Sequence, residues 1–120
     1  MKVFVVDDSA VIRRMVAALL AASPDVVVVG EASSAEACFS PIERLAPDVV
    51  VMDWSMPGMD GIEATAELQR TWPDVRVIGF TSTDDQCVHE AFIAAGATAV
   101  FAKENAMALR DCLLAEAAVG

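Results

Sequence analysis

Five short apolar runs recur along the chain: VFVV at 3–6, VVVV at 26–29, VVVM at 49–52, VRVIGF at 75–80 and AVFA at 99–102. Most are continuously apolar rather than alternating, the pattern of strands covered on both faces of a sheet. Segments of helical length separate them. The first, from Ala10 to about Ala22, places Ile12, Met15, Val16 and Leu19 on one side. SSAE at 33–36, DGIE at 60–63 and TDDQ at 83–86 resemble helix starts, with an acid or amide returning to the cap. Gly96 stands where the fourth helix should stop, and Pro24, Pro47 and Pro73 fall in helix-to-strand turns. Pro41 falls inside the second helical stretch and is expected to shorten or kink it. Strands joined by crossover helices pair in parallel, and the crossovers are right-handed. The chain is therefore expected to be an α/β protein, a (βα)5 doubly wound five-stranded parallel sheet. Its 120 residues suffice for one core, so residues 1–120 are expected to form one domain.

Composition removes several function classes. A formal charge of −10 speaks against direct nucleic-acid binding, which needs basic patches. Cys38, Cys87 and Cys112 are odd in number and widely spaced, neither a disulfide framework nor a zinc pattern. They read as reduced, mostly buried thiols in a cytoplasmic setting. No run reaches the roughly 20 apolar residues of a membrane helix. The opening MKVFVVDDSA is too short an apolar stretch for a signal peptide.

Ligands of an open parallel sheet gather at the carboxyl ends of its strands. The first run ends in Asp7 and Asp8, the third in Asp53, the fourth in Thr81 and the fifth in Lys103. The second ends in Gly30-Glu31, with no evident partner. Taken singly, these are a solvated turn, a loop cap, a helix cap and a surface charge. Taken together, they put acids, a hydroxyl and a cation on one rim. Crowded carboxylates repel unless a hard cation joins them, and oxygen ligands suit Mg²⁺, which keeps sites open for phosphate oxygens. A carboxylate beside it can attack phosphorus and form an acyl phosphate. Lys103 and Thr81 are the right types to meet the phosphoryl oxygens.

DDSAVIRR at 7–14, VVVMDWSMPGMDG at 49–61, VIGFTS at 77–82 and AAGATAVFAK at 94–103 resemble the receiver domains of two-component response regulators. The resemblance covers the whole chain and implies the strand order 2-1-3-4-5. It also implies that Asp53 accepts a phosphoryl group from a sensor histidine kinase or histidine phosphotransfer protein. Asp8, Asp53 and the backbone carbonyl of Ser55 would ligate Mg²⁺, with Asp7 holding it through water. Lys103 would pair with the phosphoryl group or with Asp53, and Thr81 would move to bond a phosphoryl oxygen. Output would pass through the face of the fourth helix, fifth strand and fifth helix, here His89, Glu90, Phe92, Val100 and Met107, which is also the place for a homodimer. The first helix, with Ala10, Val11, Arg14 and Ala17, would meet a phosphotransfer partner.

Some positions depart from the family pattern. The aromatic usual three residues before the lysine is replaced by Val100, with Phe101 next to it, and Glu104 stands where proline is common. Ser55 and Thr83 occupy positions that tune autodephosphorylation, and neither is an acid or amide able to orient water, which points to slow hydrolysis. His89 reads as a surface polar residue, Arg13 and Arg14 as solvated or partner-facing, and Trp54 and Trp72 as local packing. Three other readings compete: the receiver half of a longer DNA-binding regulator, a phosphatase of the haloacid-dehalogenase type, and a binding module independent of phosphorylation. The phosphatase would need D-x-D on the first strand, where this chain has Asp7-Asp8-Ser9. The binding module is usually marked by loss of acids that are all present here.

Overall fold

The computed structural model describes residues 1–119. Strands and helices alternate as β1 (Lys2–Val6), α1 (Ala10–Leu20), β2 (Val27–Ala32), α2 (Ala35–Leu45), β3 (Val49–Met52), α3 (Gly61–Thr71), β4 (Arg76–Thr81), α4 (Gln86–Ala95), β5 (Ala99–Ala102) and α5 (Ala106–Val119). A 3-10 turn, Lys103–Asn105, leads from β5 into α5. All strand pairs are parallel, in the order β2-β1-β3-β4-β5. This is the doubly wound sheet that the five apolar runs predict.

Side chains alternate across the sheet and feed two cores. Phe4, Val6, Val50, Met52 and Val77 face one side, where Ile42 of α2, Leu68 of α3 and Phe92 of α4 cover them. Val3, Val5, Val49, Val51, Ile78 and Phe80 face the other, against Val16 and Leu20 of α1 and Leu109 and Leu113 of α5. β1, β3 and β4 are almost wholly buried, whereas the edge strands β2 and β5 are half covered. Double-sided burial thus holds for the three central strands.

The predicted caps are present, two of them shifted. Asp60 and Glu63 form the reciprocal capping box of α3. For α2 the capping oxygen is Ser34, and for α4 it is Asp85, one and two residues beyond the first letters of SSAE and TDDQ. Gly96 ends α4 in the left-handed region, with φ 118°. Pro41 lies within α2 and does not end it; the helix runs on to Leu45 and stops at Ala46, which has φ 47°. Of the cysteines, only Cys38 is buried, and burial pushes its thiol up to about 12; Cys112 is half-buried and Cys87 exposed. Among the described residues, no helix is long and apolar enough to cross a membrane.

Candidate functional site

The register of the sheet assembles the rim. Val6 of β1 pairs with Met52 of β3, so the residues that follow, Asp7 and Asp53, emerge side by side. Backbone bonds carry the ladder one step further: Asp53 N–H donates to the Val6 carbonyl at 2.9 Å, and Asp7 N–H to the Ala32 carbonyl at 3.1 Å. Asp8 follows, exposed. One carboxylate oxygen from each of Asp7, Asp8 and Asp53 lies within 4.8 Å of the others.

Lys103 stands just past β5 at the sheet edge, yet its side chain crosses the end of β4 to reach both buried acids. Its Nζ lies 2.7 Å from Asp7 Oδ2 and 3.1 Å from Asp53 Oδ1. Asp7 is also held at Oδ1 by the Ser9 N–H at 2.8 Å. Asp7 is therefore fixed at both oxygens, and Lys103 meets Asp53 at one.

The two acids are 2% and 3% exposed, so their charges are strongly felt. Burial pushes the Asp53 carboxyl up to about 6; the charge of Asp7 adds to this, Lys103 opposes it, and Asp8 adds a smaller push. Burial alone would lower Lys103, but its bonds and attraction to Asp7 and Asp53 together outweigh that, and its ammonium is held above the ordinary value. At neutral pH both partners are thus charged.

Thr81 closes β4 and is buried; its Oγ1 accepts from the Thr83 N–H at 3.3 Å. Asp7, Asp8, Asp53, Thr81 and Lys103 therefore share the carboxyl rim, as the strand ends predict. Ser55 is exposed in the loop between β3 and α3, two residues past Asp53.

Three supporting residues escape a reading of strand ends. Arg13 is not a solvated or partner-facing charge: its Nη1 donates to the Asp7 carbonyl at 2.7 Å and its Nε to Glu31 Oε1 at 2.9 Å. It gives Glu31 the partner the sequence did not reveal and ties β2 to the acid end of β1. Glu36 of α2 accepts from the Met59 N–H at 2.7 Å, anchoring the loop that carries Ser55. His89 is half-buried, and its Nε2 meets the Thr83 carbonyl at 2.9 Å. Each depends on helix rotation and side-chain reach rather than on a motif.

Truncating Arg13 tests its placing role. Arg13→Ala is expected to lower the urea midpoint by the equivalent of about 1–2 kcal/mol, most of it from the buried Asp7 carbonyl left without its donor. Lysine at this position keeps the charge but loses the fork, so Arg13→Lys should recover less than half of that.

The departure at Val100 is resolved by the sheet's two faces. Val100 packs on the α2–α4 side, and Phe101 on the opposite side with α1 and α5. Phe101 is therefore on the wrong face to stand in for an aromatic at residue 100. Phe92, assigned above to the output surface, is instead fully buried: a Cβ at Gly79 would come 3.1 Å from its ring. Large apolar side chains exposed on α4 and in the first turn of α5 are Ile93 and Met107.

The donor set fits the implied cation. Three carboxylates converge within reach of one ion, with no thiolate or imidazole among them, the hard oxygen set preferred by Mg²⁺.

A doubly wound sheet in the order 2-1-3-4-5, with acids and a lysine gathered on its carboxyl rim, is the architecture of the flavodoxin-like receiver class. The sequence profile of the response regulator receiver domain matches residues 3–113. The chain belongs to the response regulator receiver family. It is 42% identical over 98 residues to a protein-glutamate methylesterase/protein-glutamine glutaminase of a Nocardioides strain, covering 82% of this chain and 27% of that one. It is 40% identical over 104 residues to the DNA-binding transcriptional activator DevR/DosR of Mycobacterium tuberculosis, covering 86% and 48%. The crystal structure of the response regulator domain of Thermotoga maritima CheB superposes with a TM-score of 0.86 at 29% identity, covering 98% of this chain and 92% of that one. The chain spans about a quarter to a half of the length of these two curated relatives.

Proposed function

We propose that this receiver is switched by transfer of a phosphoryl group to Asp53 from a phosphohistidine on a sensor kinase or phosphotransfer protein. The observation that supports it most is the pairing of two buried, adjacent carboxylates with one lysine that spans them. An Asp53 oxygen attacks phosphorus, the P–N bond breaks, and its electron pair leaves with the donor's ring, which is protonated at its other nitrogen beforehand and so departs as neutral imidazole. Lys103, already charged and within reach of Asp53, meets the negative oxygens of the phosphoryl group and needs little reorganisation. Asp7, held at both oxygens, keeps the lysine aimed when Asp53 is modified. Asp8, Asp53 and the Ser55 carbonyl would hold Mg²⁺, with Asp7 acting through water. When bound, the ion neutralises acid and phosphate charge and draws the phosphate oxygens to the rim.

Phosphorylation adds charge and strong acceptors at one buried point. Thr81 has a hydroxyl proton to offer a phosphoryl oxygen at the rim, so the modified protein favours the arrangement of the segment beyond it that lets this bond form. Moving the population from nearly all inactive to nearly all active needs about 5.5 kcal/mol of differential binding. The adduct should be long-lived: Ser55 and Thr83 offer hydroxyls rather than the carboxylate or amide that would orient an attacking water.

The switch would work in the cytoplasm and act on an effector through α4, β5 and α5, either by docking, by pairing with a second copy, or as the receiver half of a longer regulator. A match to under half of a DNA-binding activator favours the last of these.

Incubation with a small phosphodonor and Mg²⁺, followed by mass spectrometry, should find one added PO₃ on Asp53, labile to hydroxylamine as an acyl phosphate is. Asp53→Asn should stay unmodified. An adduct on another residue, or continuous phosphate release without an adduct, would overturn the assignment.

A further inference from the structure

We infer that Thr83, Asp85 and His89 form the linkage that couples the Thr81 hydroxyl to α4, and that Thr83 and His89 are its positioning residues. The inference rests on the reading of Asp53 as phosphoacceptor and adds to it a specific route. The segment TSTDDQC runs from the last residue of β4 into the first turn of α4. Thr81, Thr83 and Asp85 alternate along it, each offers a side-chain oxygen, and each is used in the same way. Thr81 Oγ1 accepts from the Thr83 N–H at 3.3 Å, Thr83 Oγ1 from the Asp85 N–H at 3.1 Å, and Asp85 Oδ1 from the Cys87 N–H at 2.9 Å. Three successive i to i+2 bonds thus join the rim hydroxyl to the N-terminus of α4. Bonds of this kind fix a short polar segment that has no sheet or helix ladder of its own.

His89 closes the chain from the far side. Its Nε2 lies 2.9 Å from the Thr83 carbonyl, and because a carbonyl only accepts, this nitrogen carries the proton. Thr83 is held at its N–H, its hydroxyl and its carbonyl, by three different residues. On the other side of Thr81, the ring of Phe92 rests on Gly79. The helix is therefore fixed to the β4 segment two residues before and two residues after Thr81.

The Thr81 hydroxyl has one proton to donate and two lone pairs. It can donate to a phosphoryl oxygen while still accepting from Thr83, so engagement at the site pulls on the ladder without breaking it. The displacement reaches Asp85 through the Thr83 hydroxyl, and α4 through the His89 bond. In a chain whose residue 100 is valine, this polar route supplies a connection that needs no aromatic rotation.

The test is beryllofluoride with Mg²⁺, a phosphoryl mimic, followed by amide NMR on the native chain and on Thr83→Val/His89→Phe. In the native chain, amides near Asp53 and Thr81 and those of residues 86–95 should all shift. In the variant, the site amides should shift as before while the α4 shifts fall by about half or more. Thr83→Ser/His89→Gln, which restores an acceptor and a donor, should recover them. Undiminished α4 shifts in the variant, with normal site shifts, would overturn the coupling and leave the phosphoacceptor reading intact. No beryllofluoride response in the native chain would overturn both. A second measurement needs no substitution. His89 is the only histidine, so its ring resonances are unambiguous, and they must move on beryllofluoride binding; an unmoved ring would refute the linkage.

Discussion

Asp53→Asn is expected to make the metal-free protein more stable at pH 7 while abolishing its phosphorylation. The folded-state carboxyl titrates near 6, against an ordinary value of 3.8, because burial and Asp7 disfavour its charge more than Lys103 favours it. A raised acid binds its proton more tightly in the folded state than in the unfolded one. Between these two values the native state holds more protons, so stability falls as pH rises through the window. Above pH 6 the cost levels off, at about 3 kcal/mol for a shift of this size.

Asparagine removes the charge, and Lys103 keeps its partner because Asp7 remains 2.7 Å away. The variant should therefore unfold at higher urea than the wild type at pH 7, by the equivalent of roughly 1–3 kcal/mol, and the two should converge as pH approaches 4. Saturating Mg²⁺ should reverse the order, since a ligand stabilises the form that binds it better and the variant lacks one acid of the set. Urea titrations at pH 4, 5, 6 and 7.5, with Mg²⁺ or with EDTA, supply the comparison. A wild type more stable than the variant in EDTA at pH 7.5 would mean that the acids are not in conflict, and that the site is an ordinary ion pair.

The central strands are legible in sequence because parallel strands between two helical layers must be apolar on every residue. β2 is less so. It runs on through Gly30 and Glu31 to Ala32, past its apolar stretch, because it is an edge strand whose pairing with β1 is set by backbone bonds and an irregularity at Val3/Phe4. The rim was legible for a related reason: Asp7, Asp53 and Lys103 directly follow strands, Asp8 comes one residue later and Thr81 is the last residue of its strand, and strand ends in one parallel sheet lie together by topology. What could not be read is what depends on reach. Lys103 crosses a neighbouring strand, Arg13 bridges two, and His89 folds back six residues along the chain. The shifted cap of α4 has another origin. TSTDD offers several oxygens able to cap, and the choice is made by the seating of Val88 and Phe92 in the core, which fixes where the first turn begins. The same seating takes Phe92 off the surface where its helix alone would place it.

Gly61→Ala should be the most damaging single-methyl change in the molecule. A Cβ at residue 61 would lie 1.8 Å from the backbone oxygen of Asp53, 2.8 Å from its carbonyl carbon and 3.0 Å from Met52 Cγ. The first two are backbone atoms, so no rotamer change relieves the overlap. Neither side can retreat freely. The Gly61 N–H donates to the Trp54 carbonyl at 2.8 Å, the Gly61 carbonyl accepts from the buried Thr65 hydroxyl at 2.7 Å, and Asp60 caps α3 from the preceding position. Opposite it, the Asp53 N–H is fixed to β1. Alanine must therefore push the start of α3 off the end of β3 or turn the peptide that carries the Asp53 side chain. Stability should fall by about 3 kcal/mol or more, the upper range for overpacking a rigid site. Any molecules that fold should accept phosphate at least about 100-fold more slowly, because displacing a reacting group by about 1 Å has that effect. Urea unfolding and a phosphodonor time course on the folded fraction measure the two losses separately. Native stability with native phosphorylation in Gly61→Ala would mean that β3 and α3 do not meet as described, and the placement of Asp53 would fall with that contact.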